Sequence, residues 1–243
     1  MMSAPQALQS HWLHDDTEED HVGADWHQEG IRTTVTALRD LSSARDLPWH
    51  VGDQQTLVCT KPDGSPWRPM PDVMLHARAG AGSRAEMAVS RDGVPELIIE
   101  VASPTTWAYD VDTRAGKAWG YLRLGVTNYL VFDPDGSLLG EQCRGWRIRG
   151  GAILPWCPAR ADNRYHALGL DISFQAENAL LRIFDQDGRP VPFNHEKTQR
   201  ILTQEDELRR QNQALRHQEW EALEQARRIA ELEAELARLR GEG

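Results

Sequence analysis

The chain has 243 residues, of which 40 % are hydrophobic and 26 % are charged. This length suffices for one large domain or two small ones, and it can bury a sizeable core. The formal net charge of −10 argues against a strongly basic nucleic-acid-binding protein.

The acidic residues are concentrated at the N-terminus. Residues 1–31 carry a charge of −7 and contain no Lys or Arg, whereas residues 32–195 sum to −1 and residues 196–243 to −2. We expect residues 1–17 to be a flexible N-terminal segment. The sequence shows neither a secretory signal nor an apolar run of about 18 residues, so we expect a cytoplasmic protein that does not enter a membrane.

The three cysteines, Cys59, Cys143 and Cys157, are an odd number and lack the C-x-x-C spacing. They predict neither a disulfide framework nor a zinc site. We expect all three to be small buried side chains in a reducing compartment.

A helix followed by short strands is predicted for the first part of the chain. Apolar residues recur every three or four positions over 30–47, which predicts a helix that Pro48 ends. These residues are Ile31, Val35, Leu38 and Leu41. Strands are predicted at 56–60 and 71–77, and the glycine-containing residues 79–93 are predicted as a loop.

The middle of the chain predicts a strand, a helix and a second strand. Residues 95–103 hold a nearly continuous apolar run, which is typical of a central strand covered on both faces. A helix is predicted over 110–124 with Gly125 as its C-terminal cap, and another buried strand over 127–132. A connection of this length indicates a right-handed β-α-β unit, so the domain is mixed α/β.

The residues that follow are less regular. Two strands of a hairpin are predicted up to about residue 150, and a short strand at 180–184 precedes a turn at 185–188. The rest of the segment from 151 to 195 is interpreted as an extension of the sheet or a collar. Residues 18–195 are therefore expected to form one domain.

Residues 196–243 differ in character, and over 196–240 they contain neither Pro nor Gly. One column of residues spaced by seven consists of Ile201, Leu208, Leu215, Ala222, Ile229 and Leu236. The column three residues later consists of Gln204, Gln211, Gln218, Gln225, Leu232 and Leu239. The pattern predicts a long charged helix, which is either a coiled coil with a half-polar seam or a single exposed helix.

Three ionisable residues of the middle region suggest a chemistry. Asp72 stands at the entrance of a predicted strand, Glu100 interrupts a buried-type strand, and Lys117 lies on the predicted helix after it. A carboxylate inside a buried strand is costly unless a cation or hydrogen-bond donors meet it. Two carboxylates can hold Mg²⁺, and a Lys ammonium can stabilise charge that develops on a phosphate, so the set suits phosphodiester hydrolysis.

Each residue also has an ordinary structural explanation. Asp after Pro is common at strand entrances, Glu100 could pair with an Arg, and a single Lys on a helix is most often solvated. On the predicted helix, spacings of four, three and four place several polar residues on one stripe. They are Asp110, Arg114, Lys117 and Tyr121.

At these residues the sequence resembles the Uma-two family of restriction-endonuclease-like proteins, which belongs to the P-D-(D/E)-x-K nuclease superfamily. The resemblance covers about residues 18–190. It is carried by Pro71-Asp72-Val73, by Pro-Glu-Leu-Ile-Ile-Glu-Val-Ala-Ser-Pro over 95–104, by the Asp110-x₆-Lys117-x₃-Tyr121 pattern and by Gly-Val-Thr-Asn-Tyr-Leu-Val-Phe-Asp-Pro over 125–134.

The resemblance implies a restriction-endonuclease-like mixed sheet flanked by helices, with Mg²⁺ or Mn²⁺ held by Asp72 and Glu100. In the superfamily the Lys lies two residues after the Glu, but here that position is Ala102. The family resemblance therefore implies that Lys117 has taken over the role from the following helix.

Further acidic residues often complete such sites, and the resemblance leaves several candidates. Among the N-terminal acids they are Glu19, Asp25 and Glu29. His27 is a further candidate, with helix packing or capping as its alternative, and Tyr121 of the motif is another. The resemblance thus implies a DNA endonuclease, expected to act as a homodimer.

Contacts with DNA could come from surface Arg residues, which would bind phosphates, or from Trp residues, which would stack on bases. The Arg candidates are Arg78, Arg84, Arg91, Arg144, Arg147 and Arg149, and the Trp candidates are Trp67, Trp107, Trp119 and Trp146. The alternative is that the Arg residues form a solvated rim and the Trp residues belong to the core.

Two functions from different classes follow from the sequence. The first is a metal-dependent DNA endonuclease that uses Asp72, Glu100 and Lys117. The second is a non-catalytic protein, in which the nuclease-like domain is a scaffold and the helix over 196–240 recruits a partner or self-associates. The two differ in whether Asp72 and Glu100 can share one ion beside Lys117.

Overall fold

A computed structural model describes residues 18–61, 64–80, 82 and 84–241. The described residues form two compact units, one ending at Val191 and the other beginning at Pro192. The helices are α1 (Glu18–Ala44), α2 (Val89–Asp92), α3 (Trp107–Asp110), α4 (Lys117–Leu124) and α5 (Asn194–Gly241). The strands are β1 (His50–Asp53), β2 (Thr56–Thr60), β3 (Pro66–Trp67), β4 (Val73–His76), β5 (Glu86–Ala88), β6 (Leu97–Val101), β7 (Asn128–Phe132), β8 (Cys143–Arg149), β9 (Ala152–Trp156), β10 (Tyr165–His166), β11 (Ser173–Glu177) and β12 (Leu180–Phe184).

A six-stranded mixed sheet organises the first unit. Its strand order is β1-β4-β6-β7-β8-β9, and every neighbouring pair is antiparallel except β6 and β7. The parallel pair is the predicted β-α-β unit, because α3 and α4 connect its two strands. The mixed α/β fold predicted from the sequence is therefore confirmed.

The two faces of this sheet carry separate cores, which follows from the alternation of side chains along each strand. On β6, Leu97, Ile99 and Val101 point to the face covered by α1. Ile98 and Ala102 point to the other face, where Tyr121 and Leu122 of α4 pack. Glu100 shares the alternation of Ile98 and therefore lies among apolar neighbours on the α4 face.

Two smaller sheets complete the first unit. Strands β10, β11 and β12 form an antiparallel sheet, and α1 packs against β12. Strand β2 pairs with β3 in the antiparallel and with β5 in the parallel direction. Residues 151–195, which the sequence left as an extension or collar, thus supply β9 to the main sheet and a separate three-stranded sheet.

Several predicted boundaries are wrong. Helix α1 begins at Glu18, not at residue 30. The acidic residues of its first turns suit the positive end of the helix dipole, which is consistent with this earlier start. The predicted loop at 79–93 contains β5 and α2, because Met87 is fully buried and anchors the segment against β2. Of the cysteines, Cys143 is buried and Cys59 partly buried, but Cys157 is exposed, so the expectation of burial is wrong for Cys157.

The helix predicted over 110–124 is interrupted. Residues 111–116 are not helical, and they separate α3 from α4. The interruption contains β-branched residues, Asp112 and Gly116, all of which are weak helix formers. At Gly116 a Cβ atom would collide with the carbonyl oxygen of Tyr109, so the tight turn between the two helices requires glycine. Gly125 ends α4 in the left-handed conformation, as predicted.

The long C-terminal helix predicted over 196–240 is present as α5. Its start carries half of a capping box, because the Glu196 carboxylate accepts a hydrogen bond of 2.8 Å from the backbone N–H of Phe193. From residue 198 onward every described side chain of α5 is exposed. No helix in the described part of the chain is both long enough and apolar enough to span a membrane.

Candidate active site

Asp72 and Glu100 meet because their strands are antiparallel neighbours. Val73 of β4 pairs with Ile99 of β6, which places Asp72, just before β4, beside Glu100. The backbone N–H of Asp72 donates to Glu100 Oε2 at 3.3 Å, and the N–H of Val101 donates to Asp72 Oδ2 at 2.8 Å. Each carboxylate is thus held by a backbone hydrogen bond at the same end of the two strands.

Glu100 is a fully buried carboxyl group. Its residue exposure is 0 %, and its Oε1 atom accepts no hydrogen bond from the described residues. Burial raises its pKa well above the ordinary value; Lys117 acts in the opposite direction, while Asp72 adds to the rise. A buried acid with one unsatisfied oxygen would be stabilised by a cation.

Lys117 supplies one positive charge at this place. Its Nζ lies 3.1 Å from Glu100 Oε2 and 2.9 Å from Asp110 Oδ1. Burial lowers the pKa of Lys117, but the carboxylates of Glu100 and Asp110 outweigh it, so the net pKa is raised. Lys117 is therefore a charged ammonium group and not a proton acceptor at neutral pH.

Asp110 is the residue that the sequence reasoning missed as a member of the site. Its side chain is 1 % exposed, and its Oδ2 accepts a hydrogen bond of 2.8 Å from the Thr106 hydroxyl. Its carbonyl oxygen accepts another, of 2.8 Å, from the Tyr129 hydroxyl. The sequence did contain a signal, because the polar stripe and the family pattern both include Asp110 together with Lys117.

The stripe was predicted on one continuous helix, and that geometry is wrong. Asp110 ends α3 and Lys117 begins α4, so the turn between them and not helical spacing brings the two side chains together. Arg114 lies in this turn with an exposed side chain, outside the cluster. Tyr121, one turn further along α4, is fully buried.

The hydroxyl group of Tyr121 is buried and has no hydrogen-bond partner among the described residues. Burial raises the pKa of Tyr121 well above its usual value, and the charge of Glu100 adds to the rise. Its ring contacts the ring of Trp67 at a centroid distance of 4.9 Å and that of Tyr129 at 5.6 Å. Tyr121 is thus a buried member of an aromatic cluster with Trp67 and Tyr129.

The N-terminal candidates lie on α1. His27 Nε2 is 3.7 Å from Asp72 Oδ1, and its Nδ1 is buried without a hydrogen-bond partner among the described residues. Glu29 interacts with its own helix, by an ion pair with Arg32 and a hydrogen bond of 3.0 Å from the Thr33 hydroxyl. The side chains of Asp25 and Glu19 lie outside the described ones, as do residues 1–17, where the flexible segment was predicted.

The donor set suits a hard cation. Among the described residues no group of three or more His, Cys, Asp and Glu side chains is arranged as a metal site. Glu100 Oε1 is buried and accepts no hydrogen bond within the described part of the chain, and Asp72 Oδ1 is the oxygen of Asp72 that does not accept the N–H of Val101. Oxygen ligands from one or two carboxylates, completed by water and phosphate, are characteristic of Mg²⁺ sites.

The Arg and Trp candidates for DNA contact are mostly engaged with the protein itself. Arg84 donates to the carbonyl oxygens of Ala79 and Gly80. Arg91 pairs with Asp92, Arg144 pairs with Glu141, and Arg147 lies over the ring of Trp156 at 4.3 Å. Trp67, Trp107 and Trp146 pack against the core on the α4 face. Arg78 lies 3.8 Å from Glu96 Oε1, but its side chain is 87 % exposed and therefore accessible.

A cavity of about 750 Å³ lies beside the end of β1 and does not include Asp72, Glu100 or Lys117 among its lining residues. Inside it, His50 Nε2 is 2.6 Å from the Gln55 side-chain oxygen. The backbone N–H of Gln54, a lining residue, donates to the carbonyl oxygen of Asp72 at 3.1 Å. The carboxylates therefore lie outside this cavity.

Comparison with known families gives the context for this geometry. Residues 12–146 match the family described as Uma2, Putative restriction endonuclease. The chain belongs to the Uma2 family. The matched segment contains Asp72, Glu100, Asp110 and Lys117, and it ends within β8.

The Uma2 chain is also similar to a solved structure, described as a putative nuclease belonging to DUF820 from Anabaena variabilis ATCC 29413. The identity is 15 % and the TM-score 0.35, and the match covers 54 % of this chain. The chain spans 66 % of the length of that structure. No curated protein sequence matches the chain.

Proposed function

We propose that this Uma2 protein is a divalent-metal-dependent DNA endonuclease. One observation carries the proposal: a charged ammonium group, Lys117, lies 3.1 Å from a fully buried carboxyl group, Glu100, whose other oxygen has no hydrogen-bond partner in the described part of the chain. Asp72 lies directly beside this carboxyl group. Membership of the family described as Putative restriction endonuclease supports the reaction class.

Asp72 and Glu100 are the residues that would hold Mg²⁺ or Mn²⁺. Asp72 offers Oδ1, because its Oδ2 accepts the N–H of Val101, and Glu100 offers its buried Oε1. When bound, the metal ion would lower the pKa of a coordinated water and neutralise charge on the scissile phosphate. Burial raises the pKa of Glu100, and a cation at its unsatisfied Oε1 would stabilise the charged form of the carboxyl group.

Lys117 has the role of a fixed cation. Since its pKa is raised, it does not accept a proton from water at neutral pH. An ammonium group has three donors, so Lys117 can bind both carboxylates and direct the remaining N–H towards a phosphate oxygen. It would thereby stabilise the negative charge that grows in the transition state of phosphodiester hydrolysis.

DNA is the proposed substrate, and binding is expected to be weak and sensitive to salt. Residues 32–195 carry a charge near zero, and several of their Arg side chains are already paired within the protein. Bound Mg²⁺ would offset the charges of Asp72 and Glu100, which otherwise repel phosphates. Few unpaired basic groups remain to displace counterions from the DNA backbone.

The test is cleavage of supercoiled plasmid and of single-stranded DNA with Mg²⁺ or Mn²⁺. The wild type should cut either substrate, and both Glu100→Gln and Lys117→Met should reduce cleavage by at least about a hundredfold. Glu141→Gln is the matched control, because Glu141 is an exposed carboxylate paired with Arg144. Cleavage that is independent of metal, or equal in wild type and Glu100→Gln, would contradict the proposal and favour the non-catalytic scaffold.

A further inference from the structure

We infer that α5 is the surface through which two copies of this chain associate, as a parallel and in-register two-stranded coiled coil. The inference does not depend on the proposed nuclease activity. It rests on three features of α5: a row of exposed apolar residues, the polar residues beside that row, and the charges that flank both.

The first feature is a seam of exposed apolar side chains. Residues at every seventh position of α5 form it, and most of them are more than half exposed. They are Ile201 (56 %), Leu208 (58 %), Leu215 (55 %), Ile229 (56 %) and Leu236 (53 %), with exposed Ala222 between them. A strict seven-residue repeat continued over six heptads is the spacing that keeps one stripe facing a second helix.

The second feature determines the direction of the partner. The positions three residues after this seam hold Gln204, Gln211, Gln218 and Gln225, followed by Leu232. In a parallel, in-register pair each Gln faces its own copy, and the two amides can donate and accept hydrogen bonds mutually. Leu232 likewise faces Leu232, so polar and apolar layers remain separate.

An antiparallel pair with the same overlap would mix these layers. Leu215 would face Gln225, Ile229 would face Gln211 and Leu236 would face Gln204. Each such layer buries an amide against an aliphatic side chain and leaves its hydrogen bonds unmade, which is unfavourable. The residues of the seam therefore favour the parallel direction.

The third feature is the charge on both sides of the seam. In a parallel pair the residue before each seam position faces the residue five later on the partner. These facing pairs are Arg200–Glu205, Glu207–Asn212, Ala214–Glu219, Glu221–Ala226, Arg228–Glu233 and Glu235–Arg240. Three of them join opposite charges, and none joins like charges.

In the antiparallel pair, like charges and not opposite charges would face each other. Its flanking positions would place Glu207 against Glu235 and Glu205 against Glu233. Glu219 and Glu221 would each face their own copies. Because like charges are opposed in all these pairs and opposite charges in none, electrostatics and layer composition select the same partner: a second copy of this chain in parallel.

The experiment uses the full-length chain and measures its mass by sedimentation equilibrium over a wide range of concentration. The wild type should reach twice the mass of the chain. Leu208→Lys/Leu236→Lys, which places charge in the seam, should remain at the mass of one chain. Leu202→Lys/Leu223→Lys is the matched control, because both residues are exposed leucines of the same helix outside the seam and should leave the dimer intact.

The orientation is tested by a charge exchange. Arg228→Glu should weaken the dimer by about tenfold, since the introduced carboxylate would face Glu233 of the partner subunit. Arg228→Glu/Glu233→Arg should restore it, because the facing charges are again opposite. Circular dichroism should show the same helix content in all variants.

Four results would overturn the inference. They are a wild type that stays at the mass of one chain or assembles beyond two chains, equal loss of the dimer in the seam and control variants, and an Arg228→Glu variant that dimerises as tightly as the wild type. The last result would be expected of the antiparallel pair, in which Arg228 faces the neutral Ala214.

Discussion

Lys117 Nζ lies 2.9 Å from Asp110 Oδ1, although six non-helical residues separate the two. Both side chains are largely removed from water, with Asp110 1 % and Lys117 20 % exposed. Asp110 therefore holds the ammonium group from one side while Glu100 holds it from the other. We interpret Asp110 as a positioning residue, which acts on the reaction through Lys117.

Asp110→Asn should reduce the kcat of DNA cleavage by about a hundredfold with little change in KM, because a displaced ammonium group no longer meets the transition state. Asparagine keeps the shape of the side chain and an oxygen that can accept the Thr106 hydroxyl. The measurement is steady-state cleavage of a fluorescent DNA substrate under saturating Mg²⁺.

Asp112→Asn is the control for this change, since Asp112 lies in the same turn and accepts the backbone N–H of Arg114. It should cut DNA as the wild type does. If Asp110→Asn raised KM alone, or if both variants lost activity equally, Asp110 would have only a structural role.

Three residues of the candidate site could be predicted from the sequence, and a fourth could not. Asp72, Glu100 and Lys117 were proposed from motif spacing, and they lie together in the fold. Asp110 was recognised as polar but not as a partner of Lys117. The reason is physical: their contact depends on a tight turn around Gly116, and helical periodicity carries no information about such a turn.

Asp72→Asn should abolish or strongly weaken the binding of Mn²⁺ by the free protein. The substitution removes the charge from one of the two proposed ligands and retains an acceptor for the N–H of Val101. Binding is measured by electron paramagnetic resonance of free Mn²⁺ in the absence of DNA. Asp53→Asn, at the end of β1, is the control and should bind as the wild type does. Unchanged binding in Asp72→Asn would remove Asp72 from the metal site.

Gly120→Ala should destabilise the first unit by about 1–3 kcal/mol. A Cβ atom at Gly120 would lie 2.5 Å from Cη2 of Trp67, a rigid ring on β3. In an unobstructed helix the same change would stabilise by about 1 kcal/mol, so the sign distinguishes steric overlap from helix propensity. The measurement is urea unfolding followed by far-ultraviolet circular dichroism.

Trp67→Ala gives the control for this overlap by removing the ring. In a Trp67→Ala background the cost of Gly120→Ala should fall to zero or become a gain. An undiminished cost in that background would show that the overlap with Trp67 is not the cause.

The fold was predictable where local pattern and burial agree. β6 and β7 were predicted nearly at their observed positions, because continuous apolar runs are typical of strands covered on both faces. β2 was predicted at its observed bounds from its β-rich composition. β5 and α2 were missed, since a single buried residue, Met87, holds a segment whose composition otherwise resembles a loop. β12 was predicted at its observed bounds, 180–184, but β10, β11 and the pairing of the three strands were not, because short strands pair through distant contacts.

Arg45→Met should destabilise the first unit by about 1 kcal/mol at neutral pH, and this difference should shrink in acid. Arg45 Nη2 lies 2.7 Å from Asp185 Oδ2 and joins the residue after α1 to the turn after β12. Burial alone would raise the pKa of Asp185, but the N–H groups of Arg189 and Asp187 and the charge of Arg45 outweigh it and lower the pKa. A lowered pKa in the folded state gives stability that is present above the ordinary carboxyl pKa and is lost as pH falls through the lowered value.

Urea unfolding across that pH range should therefore show the stabilities of wild type and Arg45→Met converging in acid. Arg189→Met is the control, because Arg189 is an exposed residue 3.6 Å from Asp187, and its replacement should change stability little. A difference between wild type and Arg45→Met that persists unchanged after Asp185 is protonated would mean that Arg45 stabilises by packing and not by its charge.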